Sequence, residues 1–203
     1  MIIYLIRHGE TDWNKAYRFQ GQSDIPLNAS GIALARKTAD ALRPIPFDAV
    51  FSSPLCRALE TAKIIMGNRK IPLKTDDRLK EISFGICEGT VVPSQMKEDF
   101  SHPLYCFWRD PEKYAPPENA ESFSELYKRS ASFMKECIIP LEGVCDTVLI
   151  AGHGALNRSI LNAAAGICLA DFWHFQLKNC AVSKILLESG HLTVLDPVTV
   201  YDY

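Results

Sequence analysis

The 203-residue sequence has no run of basic residues, no C-x-x-C pair and no apolar stretch of the ~20 residues that a membrane-spanning helix needs. Each gap removes a class of function. Lysine and arginine number 22 against 24 aspartates and glutamates, a formal net charge of −2, so no nucleic-acid partner is expected. An anion site must then be a local concentration of positive charge. The first residues carry neither the basic region nor the apolar core of a signal peptide, and no membrane association is expected. The seven cysteines (56, 87, 106, 137, 145, 168 and 180) are an odd, scattered set, which argues against a disulfide framework and against structural zinc. Several lie in apolar segments and read as buried thiols of a reducing cytoplasm.

What is present describes an ordinary globular chain, 47% hydrophobic and 23% charged, read as one domain over 1–203. Residues 2 to 6 form an apolar run that predicts a buried strand. Asn28 is a fitting N-cap for a helix to about Leu42, with Ile32, Ala35, Ala39 and Leu42 on one face. "DAVFSS" (48–53) predicts a second strand, followed by a helix with Ser53 as N-cap, Pro54 at the first helical position and Gly67 as its stop. Residues 73 to 120 are irregular, with prolines at 93, 103, 111, 116 and 117, and about 82–121 reads as an insertion folded over one end of the sheet. Ser122 and Glu125 make a capping box for a helix to about Cys137, with Phe123, Leu126, Ser130, Phe133 and Cys137 facing inward. "DTVLIAGHG" predicts a strand, then a helix from about 155 to 165 closed by Gly166; 181–187 and 191–195 read as strands joined through Ser189-Gly190. Alternating strands and helices predict an α/β, three-layer α/β/α sandwich with a largely parallel central sheet, the insertion covering the active site.

In such sheets ligands bind beyond the carboxyl ends of the strands. Two strands here end in a histidine followed by glycine, "IRHG" with His8 and "AGHG" with His153. Glycine allows a sharp turn and a close approach to a ligand. His102, His174 and His191 lack that setting and read as structural. Arg7 precedes His8 directly, and Arg57 lies in the first turn of its helix, where the dipole disfavours a cation unless an anion is shared there.

Arg7-His8-Gly9-Glu10-Thr11 with Asn14 resembles the signature of the histidine phosphatase superfamily, the phosphoglycerate-mutase-like proteins. Four further blocks follow in that family's order: "GQSDIPLNASG" (21–31), "SSPLCRALETA" (52–62), "RLKEISFGICEG" (78–89) and "AGHGALNRSIL" (151–161). The resemblance implies that His8 is the nucleophile and forms a phosphohistidine. It implies that Arg7, Arg57 and His153, taken as an imidazolium, surround the phosphoryl oxygens and that Glu81 is the proton donor. Asn14, Gln20, Gly21 and Gly154 would bind substrate. No metal and no cofactor is implied, since phosphoryl transfer needs positioning and charge more than covalent help from the protein.

Three functions compete on the sequence: a phosphatase acting on a small phosphate monoester, a cofactor-dependent phosphoglycerate mutase, and a non-catalytic phospho-ligand-binding relative. A mutase must hold a second anion, and the family's mutases carry paired arginines in the insertion. Residues 82–121 hold only Lys97, Arg109 and Lys113 as cations, against Glu88, Glu98, Asp99, Asp110, Glu112, Glu118 and Glu121. That balance predicts a phosphatase whose leaving group carries little charge beyond the phosphate. Ala120 and Cys87 depart from the family's glycine and tryptophan at those positions. Tyr105, Phe107, Trp108 and Tyr114 either pack the insertion onto the body or stack on a leaving group.

Overall fold

The computed structural model describes residues 1–92 and 101–201. Pro93, Lys97, Glu98 and Asp99, named above, lie outside the described residues. Six strands, β1 (Ile2–Arg7), β2 (Ala49–Ser52), β3 (Leu73–Thr75), β4 (Thr147–Gly152), β5 (Val182–Glu188) and β6 (His191–Thr199), form one sheet in the order β3-β2-β4-β1-β5-β6. The first four in that order are parallel; β5 runs antiparallel to β1, and β6 runs antiparallel to β5.

Successive side chains of a strand point to opposite faces, and β1 shows the consequence. Ile3 and Leu5 join Phe51, Val148 and Ile150 in one core, while Tyr4 and Ile6 join Val50, Leu149 and Ala151 in the other. Helices α2 (Ala29–Ala41) and α3 (Cys56–Met66) cover the second face; α5 (Phe123–Phe133) and α6 (Gly154–Ala165) cover the first. The short α1 (Asp12–Lys15) and α4 (Tyr105–Arg109) complete the helices. The sheet is sandwiched as predicted.

The sequence misplaces one helix start. Helix α3 begins at Cys56, and its N-cap, Leu55, has no side-chain hydrogen bond. Ser53 Oγ instead accepts from the Leu55 amide at 3.3 Å, and the free N–H of Cys56 is taken by the carboxylate of Asp24 at 2.6 Å. A capping group supplied from a distant loop leaves no local signature. Elsewhere the caps are as read: Asn28 accepts from Gly31, Ser122 and Glu125 form their reciprocal box, and Gly166 closes α6 in the left-handed region (φ 68°). Helix α5 gives way to a π-helical turn over Met134–Ile138. Strand β6 reaches Thr199, beyond 195, through Pro197; a proline is tolerated there because β6 is the edge of the sheet.

Phe107 of α4 is fully buried and packs against Phe84, Tyr114, Phe123 and Trp173 with ring centroids 5.0 to 5.2 Å apart. The aromatic residues of the insertion therefore anchor it to the body.

Candidate active site

Register brings the two histidine motifs together. In the parallel β1–β4 pair Arg7 lies opposite Gly152, so His8 and His153 leave the same edge of the sheet side by side. Their ring centroids are 5.1 Å apart and both side chains are buried.

His8 Nδ1 lies 2.6 Å from the carbonyl of Gly9. A carbonyl only accepts, so this contact assigns the proton to Nδ1 and leaves Nε2 with its lone pair. Burial, then Arg57, then Arg7, hold the His8 pKa well below 6.5, so the ring is neutral at physiological pH. His153 is shifted in the same direction, by burial first and then by Arg57 and His8. The expected imidazolium at 153 is therefore a neutral ring in this structure: two cations and a buried setting disfavour a third charge. Both of its nitrogens are buried without a partner among the described residues.

The arginines are held by backbone carbonyls rather than carboxylates. Arg7 Nη1 donates to Leu177 O at 2.6 Å; Arg57 Nη1 and Nη2 donate to Ser23 O and Gly21 O, both at 2.7 Å. Each keeps a buried Nε–H with no partner among the described residues. A carbonyl orients a guanidinium without neutralising it. Gly21 can make its contact because its backbone is left-handed (φ 53°) and a Cβ there would lie 2.0 Å from Glu88 Oε1.

Glu81 sits over the start of α6. Its Oε1 accepts from the amides of Ile82, Ala155 and Leu156 at 2.9, 3.1 and 3.0 Å. It is thus an N-terminal partner for a helix whose own N-cap, His153, makes no side-chain cap. Asn14 has its Oδ1 fixed by the amide and hydroxyl of Thr11, each at 3.1 Å, and by Asn179 Nδ2 at 3.3 Å.

Arg7, His8, Asn14, Gln20, Gly21, Arg57, Glu81 and Gly154 all line one cavity of about 210 Å³. His153 adjoins His8 and is fully buried. Gln20 is buried, its Oε1 without a partner among the described residues. His102 is structural as read: its Nδ1 accepts from the Leu104 amide at 3.1 Å. Among the described residues no three histidine, cysteine, aspartate or glutamate side chains are grouped to hold a metal ion.

The cavity corrects the charge reading of the insertion. Among the described residues of the insertion, Phe84, Val92 and the α4 residues Phe107 and Trp108 reach the cavity wall, and no acidic side chain does. Glu88 accepts from Gln22, Ser23 and Phe84, Glu121 pairs with Arg129, and Asp110 pairs with Lys113. The one carboxylate on the described wall is Glu81. Two arginines missed by the sequence reading stand there instead, Arg18 at the exposed mouth and Arg158 inside, with Trp173 beside it. Arg158 was legible in principle, since it lies four residues after Gly154 on the same helical face.

Comparison with known proteins agrees with this fold. The family model described as histidine phosphatase superfamily (branch 1) matches residues 3–198. The probable phosphoglycerate mutase GpmB of Yersinia pestis is 33% identical over 188 residues, covering 90% of this chain and 83% of that protein. The solved structure of Bacillus stearothermophilus YhfR superposes with a TM-score of 0.87 at 32% identity, over 96% of this chain and 95% of the other. The α-ribazole phosphatase of Shigella flexneri gives 0.85 at 28% identity, over 98% and 96%.

Proposed function

The chain belongs to the histidine phosphatase superfamily, branch 1, and within it we propose a phosphatase that hydrolyses small phosphate monoesters through a phosphohistidine. The observation that carries the reading is a neutral histidine with its Nδ1 proton directed to a backbone carbonyl, beside two guanidiniums that each retain an Nε–H with no partner among the described residues.

In the proposed reaction His8 Nε2 attacks phosphorus. An N–P bond forms as the bond to the leaving oxygen breaks, and that oxygen takes a proton from Glu81. Arg7 and Arg57 stabilise the charge on the equatorial oxygens, with Asn14 Nδ2 and a neutral His153 N–H as further donors. Water then attacks the phosphohistidine, Glu81 accepts its proton, and inorganic phosphate leaves a regenerated His8. No step calls on a metal ion, which suits the scatter of potential ligands among the described residues. A cytoplasmic setting suits the seven free thiols.

The mutase reading is supported by the names of curated relatives such as GpmB. Against it, the described part of the insertion brings no arginine to the cavity wall. One reaction separates the two. With 3-phosphoglycerate and a catalytic amount of the bisphosphate, free phosphate and the 2-phospho isomer are measured together. A phosphatase releases phosphate faster than it interconverts isomers; the reverse makes the enzyme a mutase. Brief reaction with labelled ester, quenched without acid, should leave acid-labile label on the wild-type chain and none on His8→Ala.

A further inference from the structure

Arg57 is fully buried, and the two carbonyls that hold its guanidinium, Gly21 O and Ser23 O, belong to one short turn. The turn closes with the Ser23 amide donating to Gln20 O at 3.0 Å. Gln22 and Asp24 stand exposed on either side of Ser23. A surface turn with exposed side chains does not by itself hold a buried group to the ~0.5 Å that a functional site needs.

Glu88 supplies what the turn lacks. Its Oε1 accepts from the Gln22 amide at 2.9 Å, and its Oε2 accepts from the Ser23 amide and hydroxyl at 2.8 and 2.6 Å. The N–H of Gln22 and the C=O of Gly21 are opposite ends of one planar, trans peptide group. Glu88 holds its hydrogen end and Arg57 holds its oxygen end. No ion pair joins the two side chains, yet they grip the same plate from opposite sides. A negative charge at one end and a positive charge at the other polarise the group and strengthen both bonds.

The carboxylate has a fixed seat. The Gly89 amide donates to Phe19 O at 2.8 Å and the Phe19 amide to Thr90 O at 3.1 Å, which pins the chain just after Glu88 to the chain just before the turn. Glu88 Oε1 also accepts from the Phe84 amide at 3.1 Å. Phe84 lies three residues beyond Glu81, the proposed proton donor, whose backbone carbonyl accepts from Gln22 Nε2 at 3.2 Å. One carboxylate therefore joins the turn that holds Arg57 to the segment that carries Glu81. Glu88 does not itself reach the cavity wall.

We propose that Glu88 is a positioning residue for the phosphoryl site: through the Gly21–Gln22 peptide it sets where Arg57 stands, and it keeps that guanidinium in register with Glu81. The inference rests on the reading that gives Arg57 to the phosphoryl oxygens. A residue that merely stapled two loops together would act on stability and activity without regard to Arg57.

The test is a double-mutant cycle of Glu88→Gln and Arg57→Gln in the full chain. It is read by the affinity for inorganic phosphate, from isothermal titration, and by kcat/KM on an aryl phosphate. Glutamine keeps the shape of Glu88 but turns an NH₂ toward amides that need an acceptor. Glu88→Gln should weaken phosphate binding and lower kcat/KM by about tenfold, the scale of one charge-assisted bond. With Arg57 already changed, the same substitution should cost less than about twofold further. Glu88→Asp, which keeps the charge on a shorter stem, should recover part of the loss, and it replaces glutamine in the cycle if Glu88→Gln does not fold. Arg57→Lys, which keeps the charge without the fork that bonds two carbonyls, replaces Arg57→Gln on the same condition.

Losses that multiply in the double variant overturn the proposal, because Glu88 then acts independently of Arg57. Wild-type phosphate affinity in a folded Glu88→Gln overturns it as directly. Undiminished phosphate binding in Arg57→Gln removes Arg57 from the phosphoryl site and takes the positioning role with it. Coupling in phosphate binding, in an enzyme that releases no phosphate from any ester, sinks the hydrolase reading and leaves the role of Glu88 standing.

Discussion

Arg129 on α5 grips the carboxylate of Glu121 with two hydrogen bonds, Nε to Oε1 at 2.5 Å and Nη2 to Oε2 at 2.8 Å. The same guanidinium donates to the carbonyls of Arg78, Lys80 and Glu81 at 2.7, 2.6 and 3.1 Å. One side chain thus ties the end of the insertion to the turn that presents Glu81. The pair is mostly shielded, with side-chain exposures of 17% and 13%.

Replacing Arg129 by glutamine leaves Glu121 and three carbonyls without their donor. Stability to urea should fall by about 2–4 kcal/mol. Turnover should fall by about tenfold with a smaller change in KM, because a misplaced Glu81 would affect the proposed proton transfer more than binding. Unchanged turnover in a destabilised variant would show that the 78–81 turn holds Glu81 unaided.

Chelation should not matter. Hydrolysis of a model aryl phosphate after exhaustive EDTA treatment should stay within about twofold of the untreated rate, since the charge stabilisation assigned here comes from guanidiniums. Loss of activity that Mg²⁺ restores would overturn this.

Acid should destabilise the fold through two histidines. His8 and His153 both have folded-state pKa values well below 6.5, so below that pH the unfolded chain binds protons that the folded chain refuses. Stability is therefore retained above pH 6.5 and falls as the pH drops beneath it, by up to about 1.4 kcal/mol per pH unit for each histidine. Urea midpoints between pH 7 and pH 5 measure the slope, and His8→Ala should remove about half of it. A flat profile in the wild type would mean that the rings take up protons when folded.

Gly21→Ala should damage both fold and site. A side chain on this left-handed residue costs about 1–3 kcal/mol, and it would displace Glu88 while moving the carbonyl that holds Arg57 Nη2. Thermal melts and kcat/KM should fall together. Full activity in a folded variant would show that Arg57 is held well enough by Ser23 O alone.

The layered α/β fold was legible because its signals are local and repeated. Ile2 to Ile6 and the run before His153 read as strands from their apolar residues, and Ser122 with Glu125 announces a helix on its own. The grouping of His8, Arg57 and Glu81 was legible only through five ordered blocks, since no spacing joins residues so far apart. What escaped notice depends on tertiary geometry. Asp24 caps α3 from another loop. The acidic residues of the insertion looked like a lid of one sign, yet Glu88, Asp110 and Glu121 are turned to internal partners. Arg158 lies within the last motif block, and a charge balance over the insertion does not include it because it reaches the cavity from α6.

Strand β1 lies near the middle of the sheet, and its two neighbours come late in the chain: Ile2 stands opposite Thr147 on one side and Leu186 on the other. In order of synthesis Arg7 and His8 precede both strands that flank β1, and they have no walls until β4 and β5 have been made. Long loops must close before those pairings stabilise anything, so folding should be slow for a domain of this size. Nascent chains stopped before residue 182 would expose an apolar strand with one hydrogen-bonding edge open, a surface for chaperones or for aggregation. The proposed phosphate site, drawn from the ends of β1 and β4, would thereby be complete only once synthesis has run through β5.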